Sequence, residues 1–166
     1  MKLNKEEKAM QNGELGAPRR WAIEHMIQVG RFFDAPDLVP VTQAHIMADT
    51  ESLGEAGVEF IEGLAAYPQH ERQVRIPMIT DPRGIDFCHY RRLGQTEQMA
   101  SLERRTIDAF EAMGILMTNT CINYQTIMPP LFGDHVAYGD TGVVIYSNSV
   151  CGARSNFEGG PSALAA

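Results

Sequence analysis

The chain predicts an α/β fold: one domain over residues 1–166, with a mostly parallel sheet and helices on both of its faces. Two observations carry this. Segments of helical apolar spacing alternate with short β-branched runs along the whole length, the pattern of βαβ units. Chemically capable polar groups fall just after the predicted strands, where open α/β sheets bind ligands. With 44% hydrophobic and 21% charged residues, the chain can bury a sizeable single core.

The elements follow in order. Asn4 with Glu7 three positions later forms a capping box for a short helix. Pro18 starts a second helix with Ala22, Met26 and Val29 inward and Gly30 near its end. Residues 38–41 read as a short buried strand, and Pro40 puts it at an edge or strand end. Residues 55–66 carry Val58, Ile61 and Ala65 on one helical side and stop before Pro68. Residues 73–80 alternate Val74, Ile76 and Met78 as a strand, with Pro77 against a central position. Thr96 caps a helix over 97–113, with Met99, Leu102, Ala109, Phe110 and Met113 inward and Gly114 as its stop. Residues 115–120 read as a strand ending at Cys121. Residues 142–146, rich in β-branched types, read as another that ends before Ser147 and Asn148. Gly160 and Pro161 open a last helix that stops after fewer than two turns, which predicts a truncated chain.

A net charge of -7 gives nucleic-acid binding no electrostatic support. Arg91, Arg92, Arg104 and Arg105 sit among Glu97, Glu103 and Asp108 and read as a solvated helical face. No apolar run is long enough to span a membrane, and the N-terminus lacks an apolar signal core, so a cytoplasmic protein is expected. Three widely spaced cysteines do not make a disulfide framework.

Two segments concentrate chemistry: 120–124 and 148–160. Their thiols, amides, hydroxyls, arginine and glycines suit a polar pocket better than a core. Cys121 lies at a strand-to-loop transition beside Thr120 and Asn123. Cys88 has His89 adjacent, and adjacent residues on a regular element point apart, so that pair is a poor chelate. His45 has two readings: a structural hydrogen bond to a backbone carbonyl, or a proton carrier and carboxylate binder near neutral pH. His135 stands beside Asp134. Arg154 offers a planar fork for a carboxylate, or alternatively an ion pair to Glu158. Ser149 and Ser155 read as hydroxyl proton carriers or as turn residues. Gly159 and Gly160 permit close backbone approach ahead of Pro161.

Several segments together carry a resemblance: 3–10 with Gly13 and Glu14, 38–46, 120–124, 133–142 and 148–156. In this order they resemble the aconitase X family, a group of hydro-lyases, over the N-terminal part of its large catalytic chain. The resemblance implies an aconitase-like fold and the dehydration of a small hydroxy acid. It implies iron or an iron-sulfur cluster held by cysteines, here Cys121 and Cys151. Cys151 departs from the apolar residue of the family's Asn-Ser-Val-Leu-Gly-Ala-Arg. His45, Ser149 and Ser155 become catalytic candidates. Asn123, Tyr124, His135, Arg154, Asn156, Gly159 and Gly160 become substrate-binding ones. Substrates in the family include 3-hydroxyproline in bacterial members and phosphomevalonate in archaeal ones. Residues 122–125 depart from the Thr-Pro-Tyr of the archaeal type and point to a hydroxyproline-like acid. A small swivelling subunit or domain is the implied partner, with no nucleic acid and no membrane. An inactive truncated remnant and a small-anion binding module stay open beside the enzyme.

Overall fold

The structure, a computed structural model, describes residues 1–155 and 159–166. Twelve elements follow in the order α1 (Lys5–Gln11), α2 (Ala17–Phe32), β1 (Ala44–Ile46), α3 (Thr50–Ala65), α4 (Gln69–Arg72), β2 (Met78–Thr80), α5 (Glu97–Ala112), α6 (Asn123–Thr126), β3 (His135–Tyr138), α7 (Thr141–Ser149), β4 (Arg154–Ser155) and α8 (Pro161–Ala165). The four strands form one parallel sheet in the order β2-β1-β3-β4.

Register sorts the side chains onto two faces. Ala44 pairs with Met78 and with Ala137, so these three share a face. That face packs on Ile61 and Leu64 of α3, Phe110 of α5 and Ala163 of α8 in the main core. His45 pairs with Ile79 and Tyr138, which puts all three on the opposite face. There Val136 and Tyr138 meet Tyr124 of α6 and Val143 of α7. Helices therefore cover both faces, as the alternating pattern predicts, because neither apolar face can be left in water.

Local signals place most helix starts. Asn4 and Glu7 form both bonds of the capping box. Pro18 lies in the first turn of α2, and the Thr96 hydroxyl accepts from Met99 N at 3.2 Å to start α5. The inward face of α2 is Ile23, Ile27 and Gly30; the expected Ala22, Met26 and Val29 are half-buried beside it. Glu103 is no part of a solvated face: it is 3% exposed and accepts from the Thr50 hydroxyl at 2.9 Å. Arg105, by contrast, forms a two-pronged bond to Glu62 and so ties α5 to α3.

The strand expectations need larger corrections. Residues 38–41 lie before the sheet, and β1 begins at Ala44. Only the last three residues of 73–80 pair as β2, consistent with Pro77 lacking a donor. Residues 115–120 run beside β2 through one bridge, Ile79 to Leu116. Residues 142–146 are helical, inside α7: Asp140 caps it, and Val143 and Ser147, one turn apart, are its buried positions. Tertiary packing at helical spacing overrides the β-branched composition.

Gly54 separates two helical pieces of α3, with φ 58 and ψ -170, a region open essentially to glycine. Its Cβ position is open space, so the backbone alone sets the cost of a substitution. Gly54→Ala should lower unfolding free energy by about 1–3 kcal/mol in urea titrations; an unchanged midpoint would show that α3 tolerates a straight helix here.

Candidate functional site

The parallel sheet has one switch point. From β1 the chain leaves through α3, packed on one face, to reach β2 on one side. From β3 it leaves through α7, on the other face, to reach β4 on the other side. The crevice beyond the carboxyl ends of β1 and β3 is where such sheets bind ligands. Asp49 and Asp140 flank it as the N-caps of α3 and α7, accepting from Ser52 N at 2.7 Å and Val143 N at 3.5 Å.

Asp81 follows β2 at the same edge. Its Oδ1 is buried without a hydrogen-bond partner among the described residues and lies 3.7 Å from His45 Nε2. Burial pushes its carboxyl up to about 6, and the Asp140 and Asp49 charges push the same way. His45 is fully buried in the centre of β1. Its Nε2 donates to the Thr120 carbonyl at 3.0 Å, because a carbonyl only accepts. Nδ1 is then a bare acceptor, buried without a partner. Burial lowers the His45 pKa against that hydrogen bond and the Asp140 charge, so the ring is neutral at pH 7. The structural reading of His45, a hydrogen bond to a backbone carbonyl, is the one seen here: the ring anchors the turn at Thr120.

Beside Asp81, and without His45, lies a small cleft whose polar lining is Thr80, Asp81, Arg83, Glu103, Thr106 and Asn119 and whose apolar lining includes Ile46, Phe110 and Met117. Asn119, at φ 52, accepts from Arg83 Nε at 2.7 Å, and its own N–H bonds the Thr80 hydroxyl at 3.2 Å. Glu103 Oε1 is 3.9 Å from Arg83 Nε. Burial raises the Glu103 pKa, opposed by the Thr50 hydrogen bond and the Arg83 charge.

The expected residues divide between two edges. Thr120 N bonds Thr80 O, which puts Cys121 at the carboxyl edge, exposed. Gly159 reaches that edge as well: a Cβ on it would meet Met47 Sδ at 3.1 Å and Gly139 Cα at 3.6 Å. Gly160 caps α8 beside it. Asn123 opens α6, fully buried, with both amide atoms unpartnered among the described residues. Tyr124 is buried against Tyr146, ring centroids 4.8 Å apart, and its hydroxyl lies near Asp140 Oδ2 at the start of α7, each 3.7 Å from where a Cβ on Gly142 would sit.

Because 141–149 is a helix, it carries the chain back to the amino edge of the sheet. Ser149 and Cys151 therefore lie there, not after a strand. Arg154 pairs with His135 at the start of β3 and is exposed. Ser155 follows it, accepting from Asn148 Nδ2 at 3.0 Å. Asn156, and Glu158 as the alternative partner of Arg154, lie outside the described residues. Asp49, Asp81 and Asp140, which line or flank the crevice, are not among the residues that the sequence singles out. Asp81-Pro82 directly after a predicted strand was the one local signal for them.

Comparison with known proteins fits this geometry. The family model of the aconitase X first domain matches residues 1–166. The phosphomevalonate dehydratase large subunit of Methanosarcina mazei is 36% identical over 168 residues, spanning 100% of this chain and 41% of that protein. Its counterpart from Methanocaldococcus jannaschii is 35% identical, spanning 100% and 41%. The cis-3-hydroxy-L-proline dehydratase of Pseudomonas aeruginosa is 26% identical, spanning 93% and 26%. The crystal structure of Thermococcus kodakaraensis aconitase X in its holo-form superposes with a TM-score of 0.87 at 31% identity, covering 99% of this chain and 40% of that one. The chain thus spans about two fifths of the large subunits it matches. With its whole described fold and its full length matched, this chain belongs to the aconitase X family, as that family's first domain.

Proposed function

We propose that this chain supplies one wall of a hydro-lyase site that removes water from a small hydroxy acid. The observation that carries it is the switch-point crevice: carboxyl groups, a thiol and a glycine-lined backbone gather there on a scaffold shared with dehydratases. Dehydration breaks a C–H bond next to a carboxylate and a C–O bond one carbon away. It needs groups that take and give protons at fixed positions. Neutral His45 and the carboxyl of Asp81 are such groups.

For the substrate, phosphomevalonate is favoured. Large subunits of phosphomevalonate dehydratase match at 33–36% identity over essentially the whole chain, against 26% for the hydroxyproline dehydratases. The hydroxyproline reading keeps one observation, the departure at 122–125. That the relatives are large subunits of phosphomevalonate dehydratase supports a small-subunit partner. No helix among the described residues is long and apolar enough to cross a membrane, and the cytoplasmic expectation stands as a proposal beside that.

The iron expectation meets a limit. Among the described residues no three His, Cys, Asp or Glu side chains gather to hold a metal, and the two expected thiols stand at opposite edges. These residues alone do not fit an iron or iron-sulfur centre. Cys121 is the thiol at the crevice and is proposed as a single ligand, the others coming from beyond these residues. Ser149, His135 and Arg154 lie towards the amino edge and Ser155 one position further along β4, so their proposed roles require a second chain segment on that side.

In the full-length protein purified without oxygen, Cys121→Ala should lower iron per chain severalfold while Cys151→Ala leaves it unchanged. The opposite ranking would move the centre to the amino edge. With the small subunit present, kcat/KM for phosphomevalonate should exceed that for cis-3-hydroxy-L-proline by about 10⁴-fold, the scale on which a site built for one set of polar groups rejects another. The reverse preference would select the hydroxyproline reading.

A further inference from the structure

We propose that Asp81 is the proton donor to the departing hydroxyl in this site. The inference rests on the hydro-lyase reading and names a residue within it.

The argument is geometric first. Asp81 is the first residue after β2, at the carboxyl edge of a parallel sheet. One carboxyl oxygen, Oδ1, is buried with no hydrogen-bond donor among the described residues. Its nearest ring nitrogen, His45 Nε2, has committed its proton to the Thr120 carbonyl and stands 3.7 Å off, beyond hydrogen-bond reach. A buried carboxylate with no donor is costly, whereas a carboxylic acid is neutral. The side chain keeps 20% of its surface exposed, which leaves the second oxygen as the one a substrate can meet.

The charged surroundings favour the acid form. Asp49 from the start of α3 and Asp140 from the start of α7 both face Asp81 with negative charge. Neutral His45 offers no compensating charge from β1. Arg83, two residues on, directs its Nε to Asn119 and lies near Glu103 of α5. Nothing on these elements forms an ion pair with Asp81 other than the long approach of His45. The carboxyl titrating at about 6 agrees with this arrangement.

The step balances. The C–O bond breaks and its electron pair leaves with the oxygen. The proton on Asp81 joins that oxygen, so water departs and Asp81 is left as a carboxylate. The C–H proton goes to a separate base. After product release Asp81 takes a proton from solvent. Acid catalysis of this kind contributes roughly 10²–10⁴-fold.

The experiment uses the full-length protein with its small subunit, phosphomevalonate and cis-3-hydroxy-L-proline as probes, and the variants Asp81→Asn and Asp81→Glu. Wild-type kcat should fall as pH rises above the Asp81 pKa, because the acid form is the active one. Asp81→Asn should lose about 100-fold or more in kcat, keep KM within about threefold and lose that pH limb. Asp81→Glu should recover at least about tenfold over Asn. Folding gives a readout without turnover. A raised carboxyl pKa means stability is lost as pH rises from about 4 to 6, so Asp81→Asn should melt higher than wild type at pH 7.5 and level with it at pH 4. Wild-type turnover with Asn within threefold of wild type, or Asn and Glu equal in kcat, would overturn the assignment of Asp81 alone. Turnover of neither probe by wild type would overturn the hydro-lyase reading and the donor with it.

Discussion

Two aspartate caps hold the arrangement on which everything else depends. Asp49 starts α3 as the chain leaves β1, and Asp140 starts α7 as it leaves β3. Since α3 and α7 pack on opposite faces, the two departures open a crevice between neighbouring strands. The same two carboxylates are then fixed beside Asp81 by their capping duty. Each accepts a backbone N–H at the positive end of its helix dipole. One device therefore starts two helices on opposite faces of the sheet and sets two carboxyl groups beside the crevice.

The core around this crevice carries groups that a purely structural sheet would avoid. His45 Nδ1, Asp81 Oδ1, the Asn123 amide and the Ser147 hydroxyl are buried and unpartnered among the described residues. Each such group costs on the order of 1–3 kcal/mol. The elements around them offset that cost with fully buried Ala44, Val58, Val136, Ala137 and Val143. Of these, His45 Nδ1 and Asp81 Oδ1 lie together, 3.7 Å separating the ring's other nitrogen from the carboxyl oxygen, and such a buried unsatisfied pair in a well-packed sheet is the usual mark of a site rather than of a defect.

The sequence showed most where physics is local. Asn4, Pro18, Thr96 and Gly114 each act within one turn, and each marks its boundary as read. The predicted helix start at residue 55 coincides with the break at Gly54, although α3 already begins at Thr50. Strands were harder. Val143, Val144, Ile145 and Tyr146 have strand composition, yet Val143 and Ser147 bury at helical spacing because α7 lies along β3. That single error moved 147–155 to the wrong edge in the sequence reading, and with it Ser149, Cys151 and Arg154. Cys121 kept its predicted edge even though its strand is only a bridge. The three aspartates lie at positions 49, 81 and 140, and nothing short of the folded sheet brings them together.

Hydrogen-deuterium exchange of the full-length protein with its small subunit, with and without phosphomevalonate, tests the central claim directly. Substrate should slow exchange at 47–51, 80–84, 119–123 and 139–141, the carboxyl edge, and leave 131–135 and 150–154 unchanged. Slowing confined to the latter two segments would place the chemistry at the amino edge and contradict the account.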